Sequence, residues 1–357
     1  MPRSAWIFPL LAVAFFAAVT GLSIAFTPNP AGLVLALVLL VILFGTVFAA
    51  VHHAEVIAQR IGEPFGTLLL TLAVTIIEVA LIATIMLGDT SSPALARDTV
   101  FAVVMIVCNG LVGICILIGA YRFREQEIQV SGTASYFSVL VVLATITLVL
   151  PNYTLATPGP VYSLPQLVFV SIVTIFLYAV FLYIQTIRHR DYFIFRGSSD
   201  HDAHAPGGTL AINGVLLVVA LVAVVLLAKK FAVVIDAAIA AVGAPPALAA
   251  VVVALLVLLP ESVAAVDAAR RNNLQKSLNL ALGSSLATIG LTVPAVAVVT
   301  IMLDKPMVLG LSPRDTVLLL MTIILSILTF GTGRTNILFG VVHALVFALF
   351  MFMIFAP

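Results

Sequence analysis

The sequence contains very few charged residues. Only 9% of its 357 residues are charged and 63% are hydrophobic, whereas soluble domains carry about 25% charged residues. A soluble protein could not cover so much apolar surface, because its outer layer must face water. The shortage of charge therefore excludes the soluble class and indicates an integral membrane protein. The net charge of +1 gives no indication of a nucleic-acid partner.

The sequence also lacks the motifs that are typical of enzymes and of cofactor-binding proteins. Its only cysteines, Cys108 and Cys115, lie in one apolar stretch, roughly 10 Å apart along a helix and too far apart for a disulfide. The sequence has no Gly-rich phosphate loop, zinc-ligand spacing or Ser/His/Asp arrangement. We therefore expect neither an enzyme nor a bound cofactor. A membrane-embedded enzyme acting on lipid is a remote alternative.

Long apolar runs fill most of the chain. A spanning helix needs about 20 mainly apolar residues, and the first run, Trp6–Phe26, is too long for a signal peptide, so we predict that it is retained. Eleven segments have this character: 6–26, 32–51, 64–87, 99–120, 133–150, 165–187, 209–228, 246–266, 277–301, 316–332 and 335–356. The sequence predicts an all-α polytopic membrane protein with eleven transmembrane helices.

The lysines and arginines indicate the orientation. With the N-terminus in the cytoplasm, eleven of them fall inside and five outside, which favours a cytoplasmic N-terminus and an external C-terminus. The polar segment Arg188–Gly208 is then a cytoplasmic linker. Its Asp/His cluster, 200–204, resembles metal ligands, but a solvated linker is the favoured interpretation.

The two halves of the chain contain a weak repeat. Each has a Gly-x-Pro, at 62–64 and 243–245, before an apolar helix with an interior acid, Glu78 or Glu261. Five spans per repeat give the second repeat the opposite orientation, a recurring transporter plan. The predicted parts are an extra N-terminal helix (1–30), a first five-helix repeat (31–187), the linker (188–208) and a second five-helix repeat (209–357).

Glu78 and Glu261 are the leading candidates for a site. Ionisable groups deep in a span are expensive and usually line a cavity or pathway. Thr71 and Thr75 share a helix face with Glu78. The alternative is that the threonines bond to their own backbone while a protonated glutamate pairs across helices.

Glu261 follows Pro260, which has no N–H to donate to the carbonyl of Leu256. A freed carbonyl beside a carboxylate suits a hard cation. The alternative is a helix that kinks at the proline and ends, so that its glutamate reaches the cytoplasmic interface. Asp267, further along, is expected to be interfacial.

Other polar side chains are candidates for supporting ligands. Ser284 and Thr288 lie within about 40° of one another on the helix after Glu261, and Asn109 lies on the corresponding helix of the first half. Close helix packing is an equally good explanation for them. His52, His53 and Glu55 follow the second span and are expected at a solvated interface, with a proton-entry relay as the alternative.

Two stretches resemble a known family. GEPFGTLLLTLAVTIIEVALI and PESVAAVDAARRNNLQKSLNLALGSSLATIG resemble the two signature repeats of the calcium/cation antiporter superfamily, and are most similar to its bacterial calcium/proton antiporter branch, the ChaA type. The resemblance covers nearly the whole chain. It implies a one-plus-ten helix fold in a bacterial inner membrane, with Glu78 and Glu261 as cation ligands and proton carriers. Many relatives have an asparagine before each acid, which this chain lacks.

The expected function is exchange of cytoplasmic Ca²⁺ for external H⁺. Protons and a cation would compete for two carboxylates that face each other near the bilayer midplane, and access to that site would alternate. A Na⁺/H⁺ or K⁺/H⁺ antiporter of the same fold is the alternative. The expected partners are the lipid bilayer, inorganic cations and protons, and the oligomeric state is left open.

Overall fold

A computed structural model describes residues 2–22, 24, 26, 29–62, 65–87, 92–194, 209–303 and 307–356. Within these ranges, eleven helical segments are long and apolar enough to cross a membrane, which confirms the predicted number. The helices are α1 Ser4–Gly21, α2 Pro30–Ile61, α3 Phe65–Met86, α4 Leu95–Met105, α5 Val112–Phe123, α6 Val130–Ala144, α7 Leu164–Tyr183, α8 Leu210–Val242, α9 Ala247–Arg270, α10 Leu274–Ala287, α11 Val293–Met302, α12 Pro313–Phe330 and α13 Ile337–Phe355; two short strands are β1 Glu125–Glu127 and β2 Arg334–Asn336.

The predicted C-terminal ends of two membrane spans are wrong. The second span was expected to end at residue 51, but α2 continues to Ile61. The seventh was expected to end at residue 228, but α8 continues through Lys229 and Lys230 to Val242. In both cases the helix continues through polar residues beyond the end of the apolar run from which its length had been predicted.

Several spans contain a π-helical turn. Ile106–Leu111 joins α4 to α5, and Thr288–Thr292 joins α10 to α11. Two further π turns, Thr145–Val149 and Ile184–Arg188, follow α6 and α7, and 3₁₀ turns occupy Leu150–Tyr153 and Arg190–Tyr192. Single π turns inside α-helices are frequent at functional sites.

Local sequence explains where many helices start and stop. Asn29 caps α2 by accepting a hydrogen bond from the Gly32 N–H at 2.7 Å, and Pro30 occupies the first helical position, where its missing N–H costs nothing. At the other end, Gly62 has a φ of 77°, a conformation that favours glycine. Gly243 ends α8 in the left-handed conformation, with a φ of 63°.

The chain forms two compact units. Unit 1 comprises the described residues of 1–92 and 201–249 and contains α1, α2, α3 and α8. Its most extensive packing is between α2 and α8, and α1 and α3 each contact both of these helices. At the corner between α2 and α3, a Cβ on Gly66 would overlap the carbonyl oxygen of Ala58, so this close approach requires glycine.

Unit 2 comprises the described residues of 93–200 and 250–357. It contains α4 to α7, α9 from residue 250 onward, and α10 to α13. Strands β1 and β2 pair antiparallel, with Glu125 opposite Asn336, and Arg334 forms an exposed ion pair with Glu127 at 2.9 Å. This two-stranded ribbon joins the loop after α5 to the loop after α12.

Candidate cation site and buried polar networks

Glu78 is buried in the middle of α3. Its side chain is 1% exposed, and Thr75, three residues earlier, is 7% exposed. Thr71, one turn further back, is half-buried. Glu78 is the only ionisable residue of α3. Unit 1 therefore places one carboxylate inside an otherwise apolar helix, with hydroxyl groups along the preceding turns.

Glu261 is half-buried in α9, directly after the buried Pro260. The helix does not end at the proline but continues to Arg270, so the interpretation of Glu261 as the residue of a helix end is wrong. Pro260 cannot donate to the carbonyl of Leu256, a residue that is 0% exposed. The carbonyl of Leu256 therefore lacks the donor that a regular helix would supply one turn before the carboxylate.

Asp267 has a different environment from Glu261. It is exposed and forms an ion pair with Arg271 at 2.8 Å. Exposed pairs of this kind contribute little to stability. These contacts agree with the expected interfacial position of Asp267.

The helix after α9 carries the remaining predicted ligands of the second half. Ser284 is half-buried on α10, and Thr288, at the start of the π turn, is 3% exposed. Ser277, on the same helix, donates a 2.6 Å hydrogen bond to the carbonyl of Ala265. This bond attaches α10 to α9, the helix that contains Glu261.

Asn109 is completely buried in the π turn between α4 and α5. Its amide nitrogen donates to the hydroxyl of Thr322 on α12 at 2.8 Å, and its amide oxygen lies 3.2 Å from Nδ1 of His343 on α13. Thr322 in turn donates to the carbonyl of Leu318 at 2.8 Å. Thr322 therefore accepts from Asn109, which fixes the orientation of the Asn109 amide.

His343 extends this network. It is 0% exposed, and its Nε2 lies 3.0 Å from the hydroxyl of Thr329 on α12. His343, Thr322 and Thr329 were not among the site residues predicted from the sequence. One signal for them was available, because Thr322, Ser326 and Thr329 recur at helical spacing on one face of α12 and all are buried.

The two neighbouring histidines of α2 differ in exposure. His52 is half-buried and Glu55 is exposed, but His53 is 0% exposed. The expectation that His53 lies at a solvated interface is therefore wrong. The longer α2 places His53 between α1 and α8, where its ring nitrogens contact Ala5 and Asn213.

The linker is only partly described. Residues 188–194 follow α7, and the carbonyl of Phe193 accepts a hydrogen bond from the Asn279 side chain. The Asp/His cluster at 200–204 lies outside the described residues. Within the described part of the chain, no group of three or more His, Cys, Asp or Glu side chains is arranged to hold a metal ion.

Comparison with known proteins identifies the family. The profile of the sodium/calcium exchanger protein family matches residues 31–187 and 212–356. The chain belongs to this family, whose members are membrane exchangers and not enzymes. This membership confirms the class of transporter that the two signature stretches had indicated.

Two relatives extend the comparison. The chain is 44% identical to y4hA of Sinorhizobium fredii, which is described only as an ionic transporter, over 100% of this chain and 97% of that protein. It is 35% identical to the sodium-potassium/proton antiporter ChaA of Escherichia coli, over 82% of this chain and 81% of the relative.

Solved structures share the fold at low identity. YfkE, a Ca²⁺/H⁺ antiporter protein, superposes with a TM-score of 0.75 at 15% identity, covering 99% of this chain and 100% of YfkE. The H⁺/Ca²⁺ exchanger CAX gives 0.68, also at 15% identity, covering 98% of this chain and 89% of CAX. The protein is thus a multi-pass membrane protein with the fold of the cation exchangers.

Proposed function

We propose that the protein exports Ca²⁺ from the bacterial cytoplasm in exchange for external H⁺, with Glu78 and Glu261 as the groups that carry both ions. The observation that carries this proposal is Glu78, a carboxylate only 1% exposed in an apolar helix. Such a group is costly unless a proton or a cation neutralises it. Its neutralisation by either ion is the elementary step of an antiport cycle.

Competition between the two ions supplies the coupling. Two carboxylates that lose their protons carry two negative charges, which match one divalent cation. In a poorly hydrated site, repulsion between the two charges favours uptake of protons when the cation leaves. The pair then carries either the cation or protons, and alternating access converts one gradient into the other.

Neutral oxygens would complete the coordination of a hard cation. On the Glu78 side the candidates are the hydroxyls of Thr71 and Thr75. On the Glu261 side they are the carbonyl of Leu256 and the hydroxyls of Ser284 and Thr288. Asn109 is a further supporting group, because its amide oxygen has a second lone pair in addition to the one that faces His343.

Exchange of Na⁺ or K⁺ for H⁺ is a second candidate function. The 35% identity to a sodium-potassium/proton antiporter favours it. The absence of the asparagine that many relatives have before each acid also favours it, because that absence removes one amide ligand from each half. We propose the inner membrane as the location in both cases, with a cytoplasmic N-terminus.

Everted membrane vesicles provide the test. Cation-dependent proton flux is measured with Ca²⁺, Na⁺ and K⁺ separately, for the wild type and for Glu78→Gln, Glu261→Gln and Asp267→Asn. Both Glu→Gln variants should fall to the background of vesicles without the protein, because Gln keeps the shape but cannot exchange a proton. Asp267→Asn, the matched control, should remain close to the wild type.

Each outcome has a clear meaning. Flux with Ca²⁺ alone supports the calcium exchanger, and flux with Na⁺ or K⁺ but not with Ca²⁺ supports the second candidate. If either Glu→Gln variant transports like the wild type while it is expressed at the same level, the two-glutamate mechanism is wrong for every cation.

A further inference from the structure

The first two turns of α10 are attached to three other parts of unit 2. Each attachment is a hydrogen bond between a polar side chain of α10 and a backbone atom elsewhere in the unit, and the three side chains are those of Gln275, Ser277 and Asn279. Ser277 attaches the helix to α9. Gln275 and Asn279 attach it to the residue before α6 and to the linker after α7.

Gln275 is 1% exposed, and its amide has one orientation that satisfies its partners. The backbone N–H of Gln129, the residue before α6, donates to the side-chain oxygen of Gln275 at 2.8 Å. A backbone N–H can only donate, so the atom that faces it must be the amide oxygen. The amide nitrogen of Gln275 then donates to the side-chain oxygen of Asn279, one turn later on α10, at 3.0 Å.

Asn279 continues this series of bonds to the linker. Its side-chain oxygen accepts from Gln275, so its amide nitrogen is the atom that donates to the carbonyl of Phe193. A carbonyl can only accept, so both ends of the series require the same orientation of the Asn279 amide. The hydroxyl of Tyr136 on α6 also lies 3.3 Å from the backbone carbonyl of Asn279. The series therefore joins α10 to fixed backbone groups at both of its ends.

Phe193, which receives the last of these bonds, is itself packed against two helices. Its side chain is 5% exposed. The centroid of its ring lies 5.5 Å from that of Tyr136 on α6 and 6.0 Å from that of Phe181 on α7, in both cases edge to face. Aromatic pairs in this geometry are favourable. The start of the linker is thus part of the same packed surface as α6 and α7, and α10 is attached to that surface.

The proposed ligands of α10 lie on the side of the helix that carries Ser277. At 100° per residue, Ser277, Ser284 and Thr288 fall within about 40° of one another. This side faces α9, because Ser277 donates to the carbonyl of Ala265, one turn after Glu261. The rotation of α10 about its own axis therefore determines whether Ser284 and Thr288 face α9.

Gln275 and Asn279 fall on roughly the opposite side of α10, within about 40° of each other. We propose that they are positioning residues for ion exchange, which fix the rotation of α10 from the side away from α9 and so keep Ser284 and Thr288 directed towards the cation. They act through these two ligands and not on the cation itself. The proposal rests on the proposed function, which makes Ser284 and Thr288 ligands.

Asn279→Ala tests the proposal. Alanine removes the bonds to Gln275 and Phe193 while it favours the helix. Proton flux in everted vesicles is measured against the concentration of the cation, Ca²⁺, Na⁺ or K⁺, that drives flux in the wild type. Groups that orient metal ligands are worth about 10–100-fold in affinity, so KM should rise by about tenfold or more while kcat changes little. An unchanged KM would overturn the proposal. If Asn279→Ala does not fold, Gln275→Ala, which should act in the same direction, decides.

Asn273 provides the matched control on the same helix. Its side chain caps α10 by accepting from the Lys276 N–H at 3.0 Å, a bond within the helix itself. Asn273→Ala should lower the melting temperature of the purified protein, because it removes a cap, but it should leave KM close to that of the wild type. A rise in KM as large as that of Asn279→Ala would mean that any weakening of α10 is sufficient, and would contradict the proposal.

A double-variant cycle separates this proposal from the proposed function. Ser284→Ala and Thr288→Val together remove the two hydroxyls. In that background Asn279→Ala should raise KM no further, because no ligand is left to position. If the double ligand variant leaves KM unchanged, the ligands assigned to α10 are wrong and the positioning role fails with them. If it raises KM but Asn279→Ala in the wild type does not, the proposed function stands and the positioning role alone is wrong.

Discussion

Among the described residues, unit 1 and unit 2 each enclose one buried histidine, and the two rings have different surroundings. His53 and His343 are both 0% exposed, and each ring has a partner at both nitrogens. At His53 both partners are oxygens that can only accept. At His343 one partner is the Asn109 amide oxygen, and the other is the Thr329 hydroxyl, which can donate.

This difference shows that two equally buried histidines make different demands on their hydrogen-bond partners. A neutral His343 donates from Nδ1 to Asn109 and accepts at Nε2 from Thr329, so every polar atom is satisfied without a charge. A neutral His53 leaves one nitrogen facing an oxygen. On the Ala5 side of His53, Pro9 has no N–H to donate to the Ala5 carbonyl, so the ring is the donor for that oxygen.

Removing either buried histidine ring should cause the largest loss of stability. His53→Leu leaves the Ala5 and Asn213 oxygens without the ring, and His343→Leu does the same to Asn109 and Thr329. A buried polar group that loses its partner costs about 1–3 kcal/mol. Both variants should clearly lower the apparent melting temperature of the purified protein in detergent. His52→Leu, at a half-buried position, is the control, and the comparison fails if it is equally destabilising.

Replacement by glutamine should separate the two sites. A glutamine at 343 can donate from its nitrogen to Asn109 and accept with its oxygen from Thr329, so His343→Gln should regain much of the stability that His343→Leu loses. A glutamine at 53 has an oxygen that would face an acceptor, so His53→Gln should regain little. The melting temperatures of the four variants give the result, and equal recovery at both sites would show that the contrast between them is wrong.

Of these variants, Pro9→Ala should change the melting temperature least. Alanine restores an N–H beneath the Ala5 carbonyl, which then has two competing donors. The bond from His53 weakens, while α1 gains helix propensity, so the melting temperature should change little. The sensitive readout is the melting temperature of the double variant that combines Pro9→Ala with His53→Leu. In the Pro9→Ala background, His53→Leu should lower the melting temperature less than it does in the wild type, because the Ala5 carbonyl keeps a backbone donor; an equal loss in both backgrounds would contradict the role of Pro9.

The spans were predictable because apolar runs and helix breakers are local. The proline at 64 precedes α3, and Pro245 lies two residues before α9, as the Gly-x-Pro pattern predicted. The end of α2 was not predictable in this way. Hydropathy reports only the suitability of a residue for lipid, and His53 is buried by protein.

Local sequence patterns could not predict which residues the buried polar groups bond to. His53 meets Asn213 across 160 residues, and Asn109 meets His343 across 234. No periodicity links positions so far apart. The sequence did indicate that a lone polar residue in an apolar helix needs an explanation, and this rule identified Asn109 and Glu78 but was not applied to Asn213 or His343. The roles of Glu78 and Glu261 in transport stay predictions.

The ribbon of β1 and β2 has a consequence for the synthesis of the chain. Glu127 and its ion-pair partner Arg334 are separated by 207 residues. At about 5–20 residues per second, β2 is made roughly 10–40 s after β1. During that interval, six further spans leave the ribosome while β1 has no strand to pair with. Closure of this ribbon is therefore among the last events in the biogenesis of unit 2, and a chain truncated before residue 334 cannot form it.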